Sequence, residues 1–417
     1  MDFSTKTALV QDNGLFAEIA TELAKVFGKV YLVVPWENAY PKSAALRIGE
    51  GLANVEKIDS LWPVVDEVDL FVFPDVYHGA LQDYLRSEGK RVWGSAMGEE
   101  LELDRDYSKQ VCTAHGLAVG SYEVITGMDA LRDYLKDHDN RWVKISRTRG
   151  DFETFHADTY DLAEPRLDEI QRKLGALNGT VEFIVEEDIP DAVEIGYDGY
   201  TIDGRYPGSA MVGLEIKDKG YVGKFLKANQ MPEQIHTIND ALSPVLKDYQ
   251  YRNFWCAEAR ITKDGTPWVI DPCARFGSPP SELLMMMYTN LAEIMWYGAD
   301  GEVVDPVPAG KWGAQVMLIS GWANENWQAI DFPEDVREHV KLHFPVVVDG
   351  RYYVTPQGFD LPAIGAVCAV GETMAEAVEK VREVAEEVRG YYVEAPVECF
   401  DVADEEIAQL KTFGITL

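Results

Sequence analysis

The 417-residue chain has few cysteines, and none of them are paired in sequence. Its five, Cys112, Cys256, Cys273, Cys368 and Cys399, are scattered, with no CxxC motif. That pattern argues against a zinc ribbon and for a reducing compartment. No apolar run reaches the roughly 18 residues of a membrane span. The opening stretch MDFSTKTALVQDNG lacks a basic region followed by an apolar one, so a cytoplasmic protein without a secretory leader is expected. The phosphate loop GxxxxGK[ST], the dinucleotide fingerprint GxGxxG and the zinc motif HExxH are all missing. There is no internal repeat and no low-complexity tract. Basic residues are scarce: 38 Lys and Arg stand against 71 Asp and Glu, a formal charge of −33. Such a surface repels nucleic acid and anionic membranes, so neither is expected as a partner. An anionic ligand would need a local basic pocket inside an acidic shell.

What the chain does contain centres on Phe254 to Pro280, FWCAEARITKDGTPWVIDPCARFGSPP. Two runs with strand-like alternation flank Lys263-Asp264-Gly265, which predicts a β-hairpin. Glu258 sits on the first run and Asp271 on the second. Pairing through the turn would bring both carboxylates to one end, where a divalent cation would relieve their repulsion. Arg260 and Arg275 flank them and suit phosphate or carboxylate oxygens.

The pattern E-x-R-I-T-x-D-G-x-P-W-V-I-D-P-C-A-R-F-G resembles the metal-binding hairpin of the ATP-grasp ligases. It is most similar to the variant in glycinamide ribonucleotide synthetases. In those enzymes the second strand ends Glu-x-Asn-x-Arg-Phe-Gly-Asp-Pro. Here Asp271, Cys273 and Ser278 replace the Glu, the Asn and the later Asp.

Other segments extend the resemblance. Residues 1–103 alternate short apolar runs with helical patterns, which predicts a Rossmann-like parallel layer. Asp75, Tyr77, His78 and Gly79 follow one of its strands, where such sheets bind ligands. The stretch DRDYSKQVCTAHGLA resembles the helix that carries the first ATP lysine, and Lys109 holds that place. In RWVKISRTRGDFET, Lys144 takes the position of the strand lysine, and Arg147, Arg149 and Gly150 that of the phosphate flap. In VEFIVEEDIPDAVEIG, Glu186 and Glu187 end a strand that resembles the one leading to the adenine hinge. Pro190 has no N–H, so the Glu187 carbonyl and the Ile189 N–H are the expected adenine partners. Glu194 is the expected ribose ligand.

The resemblance implies an α/β, multidomain α+β fold. A Rossmann-like unit (1–103) would precede an ATP-grasp unit (104–304) with a lid at about 119–190. A small α+β unit (311–417) would follow the linker at 305–310. It implies a ligase that joins a small carboxylate to a small amine through an acyl-phosphate, with ATP and Mg²⁺, Mn²⁺ being able to substitute. Glu258 and Asp271 would hold the metal, with Cys273 at the position of the family's third ligand. Arg275, and more weakly Arg260, would act on the carboxylate or acyl-phosphate. A homodimer is compatible with this reading. Cys273 motivates an alternative, a catalytically impaired ATP-grasp protein serving as a nucleotide-binding or assembly module, because a thiol is a poor Mg²⁺ ligand. His339 and His343 are read as ordinary surface residues.

Overall fold

The computed structural model describes residues 1–34, 44–146, 154–356 and 363–417. Its first sheet has five parallel strands in the order Glu56–Ile58, Lys29–Val33, Thr7–Gln11, Leu70–Val72, Val92–Trp93. Strands Lys29–Val33 and Leu70–Val72 are almost wholly apolar, as strands covered on both faces must be. The order reverses beside Thr7–Gln11, and a crevice opens at the carboxyl ends there. The expected Rossmann-like layer is therefore present. Its first helix is Glu18–Ala24.

A nine-stranded sheet forms the body. It runs Val340–Leu342, Ala363–Gly371, Trp312–Ile319, Gly220–Lys227, Ser209–Ile216, Ala192–Ile202, Arg252–Thr262, Pro267–Cys273, Ala118–Val119. The stretch 305–310 thus joins strands of one sheet, since Trp312–Ile319 pairs antiparallel with Gly220–Lys227. One continuous apolar core links the first layer, this sheet and the C-terminal segment, from Phe3 to Leu417.

Residues 122–187 stand apart. Four strands, Tyr122–Thr126, Glu182–Glu187, Arg141–Ile145 and Thr154–Ala157, form an antiparallel sheet backed by two helices, Met128–Asp137 and Tyr160–Leu174. Leu131, Leu135, Val143, Leu167, Ile170 and Phe183 give this piece its own buried core.

Helix caps follow their local chemistry. Asp104 accepts the Tyr107 N–H and starts Arg105–Ala114. Thr373 and Glu376 form the expected capping box ahead of Met374–Ala385. The pattern over Ser281 to Trp296 divides into two helices, Ser281–Met287 and Leu291–Ala299.

The reading of His343 as a surface residue is corrected. It is 2% exposed, and its Nε2 lies 2.6 Å from the equally buried Glu282 Oε1. It does not share a helix with His339, because a strand, Val340–Leu342, separates them. The spacing of four carried no helical pattern of apolar residues around it.

The C-terminal segment is tied to the first helix by ion pairs. Arg337 Nη2 donates to both Glu18 oxygens at 2.9 Å, and Lys341 Nζ lies 2.6 Å from Glu22 Oε1. Glu18 is 1% exposed. Removing one partner leaves a buried charge without its counter-ion, at a cost of about 3–5 kcal/mol. Arg337→Ala is therefore expected to lose roughly that amount in a denaturant titration. Lys136→Ala, which breaks an exposed pair with Asp133, is expected to leave stability unchanged.

Candidate active site

The predicted hairpin forms from Arg252–Thr262 and Pro267–Cys273. Gly265 takes φ 85° in its turn, where a side chain would be strained. Asp264 Oδ1 accepts from Thr262 Oγ1 and from the Thr266 N–H, which closes the loop. The register places Glu258 directly opposite Asp271, with an irregularity just beyond, between Glu258 and Ala259. Both carboxylates line one cavity of about 270 Å³.

Their electrostatics differ sharply. Burial would raise the Asp271 pKa, but Arg105 and Lys144 outweigh it and bring it down to about 2. Arg105 Nη1 lies 2.9 Å from Asp271 Oδ1. Glu258 is pushed well above the usual carboxylate range, first by burial and then by Glu215, Glu194 and Asp271. The same cavity thus lowers the pKa of one carboxyl and raises that of its neighbour.

The sequence-predicted lysines converge on one acid. Lys109 Nζ lies 3.1 Å and Lys144 Nζ 3.4 Å from Glu186 Oε1, and all three residues are buried. Lys144 also donates to the Ile270 carbonyl at 3.0 Å, which ties the lid sheet to the hairpin. Burial would raise the Glu186 pKa, but the two lysines outweigh it and lower it.

At the hinge, the Glu187 N–H donates to the Ser121 carbonyl, and the Glu187 side chain turns outward to Arg141. Ile189 lines the cavity, and among the described residues its N–H has no hydrogen-bond partner. Glu194 lines the same cavity.

Both arginines line the cavity, but they pair with different parts of the chain. Arg275 lies at the far end of the hairpin, with Nε 2.7 Å from Glu102 Oε1 and Nη1 donating to the Phe276 carbonyl. Arg260 lies toward the turn and is bound at the hinge, 3.5 Å from Asp188 Oδ1. Cys273 is half-buried, opposite Cys256 in the register, and lines a smaller adjoining cavity with Glu258, Asp271 and Arg275. Arg147, Arg149 and Gly150 lie outside the described residues. In the first layer, Glu99 accepts the His78 and Gly79 N–H groups at the start of helix Gly79–Ser87. Asp75 is buried and Tyr77 is exposed.

Sequence reasoning missed four residues here. Arg105 and Glu102 hold Asp271 and Arg275 in place. Glu215 and Lys217 reach the cavity from the end of Ser209–Ile216. Only Lys217, beside a strand end, carried a signal, and lone lysines are usually solvated.

Among the described residues, no three His, Cys, Asp or Glu side chains are gathered closely enough to hold a metal alone. Two opposed carboxylates, one of them with its pKa raised for want of a counter-charge, do fit a magnesium ion that arrives with phosphate oxygens and keeps several waters.

A parallel first layer, a four-stranded lid and a long sheet carrying the hairpin make up the fold of the ATP-grasp ligases. Within that class the chain resembles the phosphoribosylamine–glycine ligases. No family model matches it. The Yersinia pestis phosphoribosylamine–glycine ligase is 21% identical over 74% of this chain and 77% of its own. The crystal structure of the Thermotoga maritima phosphoribosylamine–glycine ligase superposes with a TM-score of 0.67 at 17% identity, covering 93% of this chain and 98% of that one. The biotin carboxylase domain of Hydrogenobacter thermophilus 2-oxoglutarate carboxylase, solved with MgADP and bicarbonate, gives 0.65 at 11% identity over 97% and 95%. No helix is long and apolar enough to cross a membrane among the described residues.

The crowding of acids has a consequence for stability. Burial raises the Glu215 pKa from its usual 4.5 to about 7, with Glu194 adding to the effect against Lys217. Between those values the folded chain holds a proton that the unfolded chain releases, so stability falls as pH rises through that window. Glu215→Gln is expected to stabilise the protein at pH 8 by on the order of 1–2 kcal/mol and to have little effect at pH 4.5. Denaturant titrations at the two pH values check this.

Proposed function

We propose that this protein is an ATP-dependent carboxylate–amine ligase that works through an acyl-phosphate. The observation that carries the reading is the direct opposition of Glu258 and Asp271 in a cavity shared with Lys144 and Arg275. The relatives and neighbours are named as ligases and a carboxylase, which favours an enzyme over a nucleotide-binding module.

The roles follow from the geometry. The Ile189 N–H and the Glu187 carbonyl would receive the adenine edge, and Glu194 the ribose hydroxyls. Lys109 and Lys144 would leave Glu186 in part to hold phosphate oxygens. Arg147, Arg149 and Gly150 would serve as the phosphate flap. A divalent cation bound at Glu258, Asp271 and the phosphates supplies charge neutralisation of the moving phosphoryl group. Cys273 is replaceable in this scheme, because water is the better ligand for magnesium. Arg105 keeps Asp271 ionised and oriented. Arg275 would bind the carboxylate that takes the phosphoryl group. Arg260, bound to Asp188, would steady the hinge. No protein nucleophile is required.

Asp271→Asn removes the permanent anion that faces the cation. It is expected to lower acid-dependent ADP release at least 100-fold, while Cys273→Ala stays within a few-fold of the parent. Mg–ATP is expected to raise the melting temperature by linkage. Full activity in Asp271→Asn together with loss in Cys273→Ala would overturn the metal assignment. Absence of a thermal shift with any magnesium nucleotide would overturn nucleotide binding.

A further inference from the structure

Besides Arg275, the cavity is lined by an apolar group from three separate parts of the chain. Leu15 comes from the loop after the first strand, Pro279 from beyond the hairpin, and Met317, Phe344 and Ala363 from the C-terminal segment. All five are apolar. His343 also lines the cavity, but its Nε2 is taken by Glu282, and its Nδ1 lies 3.3 Å from the Ala363 carbonyl. Four cations line the cavity among the described residues: Lys144 and Arg260 are paired with Glu186 and Asp188 beside the hinge, Lys217 lies 3.6 Å from Asp218, and Arg275 stands four positions before Pro279 in the chain.

The wall is held in a costly conformation. Phe344 has φ 51°, a region that bulky residues avoid. Its N–H donates to the Gly14 carbonyl at 2.8 Å, and its own carbonyl accepts from the Thr355 N–H at 3.3 Å. A Cβ on Gly14 would stand 2.6 Å from Phe344 Cδ1, so only glycine lets the ring reach the loop. Strained residues persist where the surroundings over-determine them, and they cluster at ligand sites. Here the strain sets an aromatic ring beside Leu15 at the mouth of the crevice of the first layer.

We propose that this part of the cavity takes a small carboxylic acid with an apolar side group as the acyl donor, its carboxylate on Arg275 and its side group against Leu15, Met317 and Phe344. This rests on the ligase reading. One guanidinium that already shares Nε with Glu102 suits one carboxylate. A phosphate monoester carries about −1.5 to −2 and asks for several charge-assisted donors. In the first step a donor oxygen bonds to the γ-phosphorus as the bond to ADP breaks. In the second an amine nitrogen bonds to the acyl carbon, phosphate leaves with the bonding pair, and the amine gives up a proton.

Hydroxylamine traps the acyl-phosphate whatever the natural amine is. Hydroxamate and ADP are measured with Mg–ATP and glycine, aspartate, leucine, phenylalanine or 3-methylbutanoate. Calorimetry of each acid on the Mg–ADP-loaded protein gives an independent readout. At least ten-fold higher kcat/KM and tighter binding for the apolar acids are expected. Phe344→Ala should shift preference ten-fold toward the bulkier acid, and Phe344→Leu serves if that variant does not fold. Arg275→Gln should raise the KM for the acid more than ten-fold and keep the nucleotide thermal shift. Preference for glycine or aspartate over the apolar acids would overturn this inference and leave the ligase reading standing. Nucleotide binding with no acid of any kind supporting ADP release would overturn both.

Discussion

Four carboxylates, Glu194, Glu215, Glu258 and Asp271, line one partly buried cavity, and they cannot all be ionised there without nearby positive charge. The cations that answer them come from different places. Arg105 and Lys109 lie on the helix before the lid, Lys144 on a lid strand, Lys217 beyond a body strand, and Arg275 past the hairpin. The fold brings these pieces together at one point. Where the cations fall short, the Glu258 carboxyl is pushed well above the usual range and Glu215 up to about 7. Glu258 and Asp271 are the two carboxylates proposed to receive a cation.

The overall charge of −33 makes the arrangement sharper. An acidic shell opposes a free nucleotide at long range, so affinity has to come from a few desolvated groups at close range. Lys109 and Lys144 are poised for that exchange. Glu186 holds both, and among the described residues every buried lysine has a carboxylate partner. Glu186 is buried, so a phosphate that took both lysines from it would leave an uncompensated carboxylate, and a sharing of the lysines between the two anions is favoured.

What was legible in the sequence had local causes. The hairpin register follows from a turn, so Glu258 and Asp271 could be paired by counting outward from Lys263-Asp264-Gly265. The strand that ends in Glu186 and Glu187 was legible from its apolar run Phe183-Ile184-Val185, and it forms as Glu182–Glu187. The first layer and the capped helix after Thr373 followed from periodicity and capping chemistry. What was not legible had partners far away in the chain. Arg105 looks like an ordinary first-turn residue, and its partner Asp271 lies 166 positions on. Glu102 serves Arg275 across a separation of 173. His343 was taken for a surface residue because nothing nearby announces Glu282. Arg260 was grouped with Arg275 by proximity in sequence, yet the strand direction carries it toward the hinge and away from the hairpin end. The break at 305–310 was visible as composition, but its neighbours belong to one sheet, and sheet pairing across a linker leaves no local mark.

The two kinds of contact around the cavity divide the molecule mechanically. Leu15 and Phe344 of the apolar wall belong to the continuous core that joins the first layer to the C-terminal segment. It is fastened further by Arg337 on Glu18, Lys341 on Glu22 and the Phe344 N–H on Gly14. The lid piece, residues 122–187, has a core of its own. At the cavity it meets the body through Lys144 on Ile270, Glu186 on Lys109, and Trp142 on Asp188. These polar groups are the ones a nucleotide would compete for, whereas the wall offers a nucleotide nothing to exchange. Nucleotide binding would therefore rearrange the lid contacts and leave the acid chamber in place. Under the proposed function, that separation would let one part of the cavity select by shape while the other responds to charge.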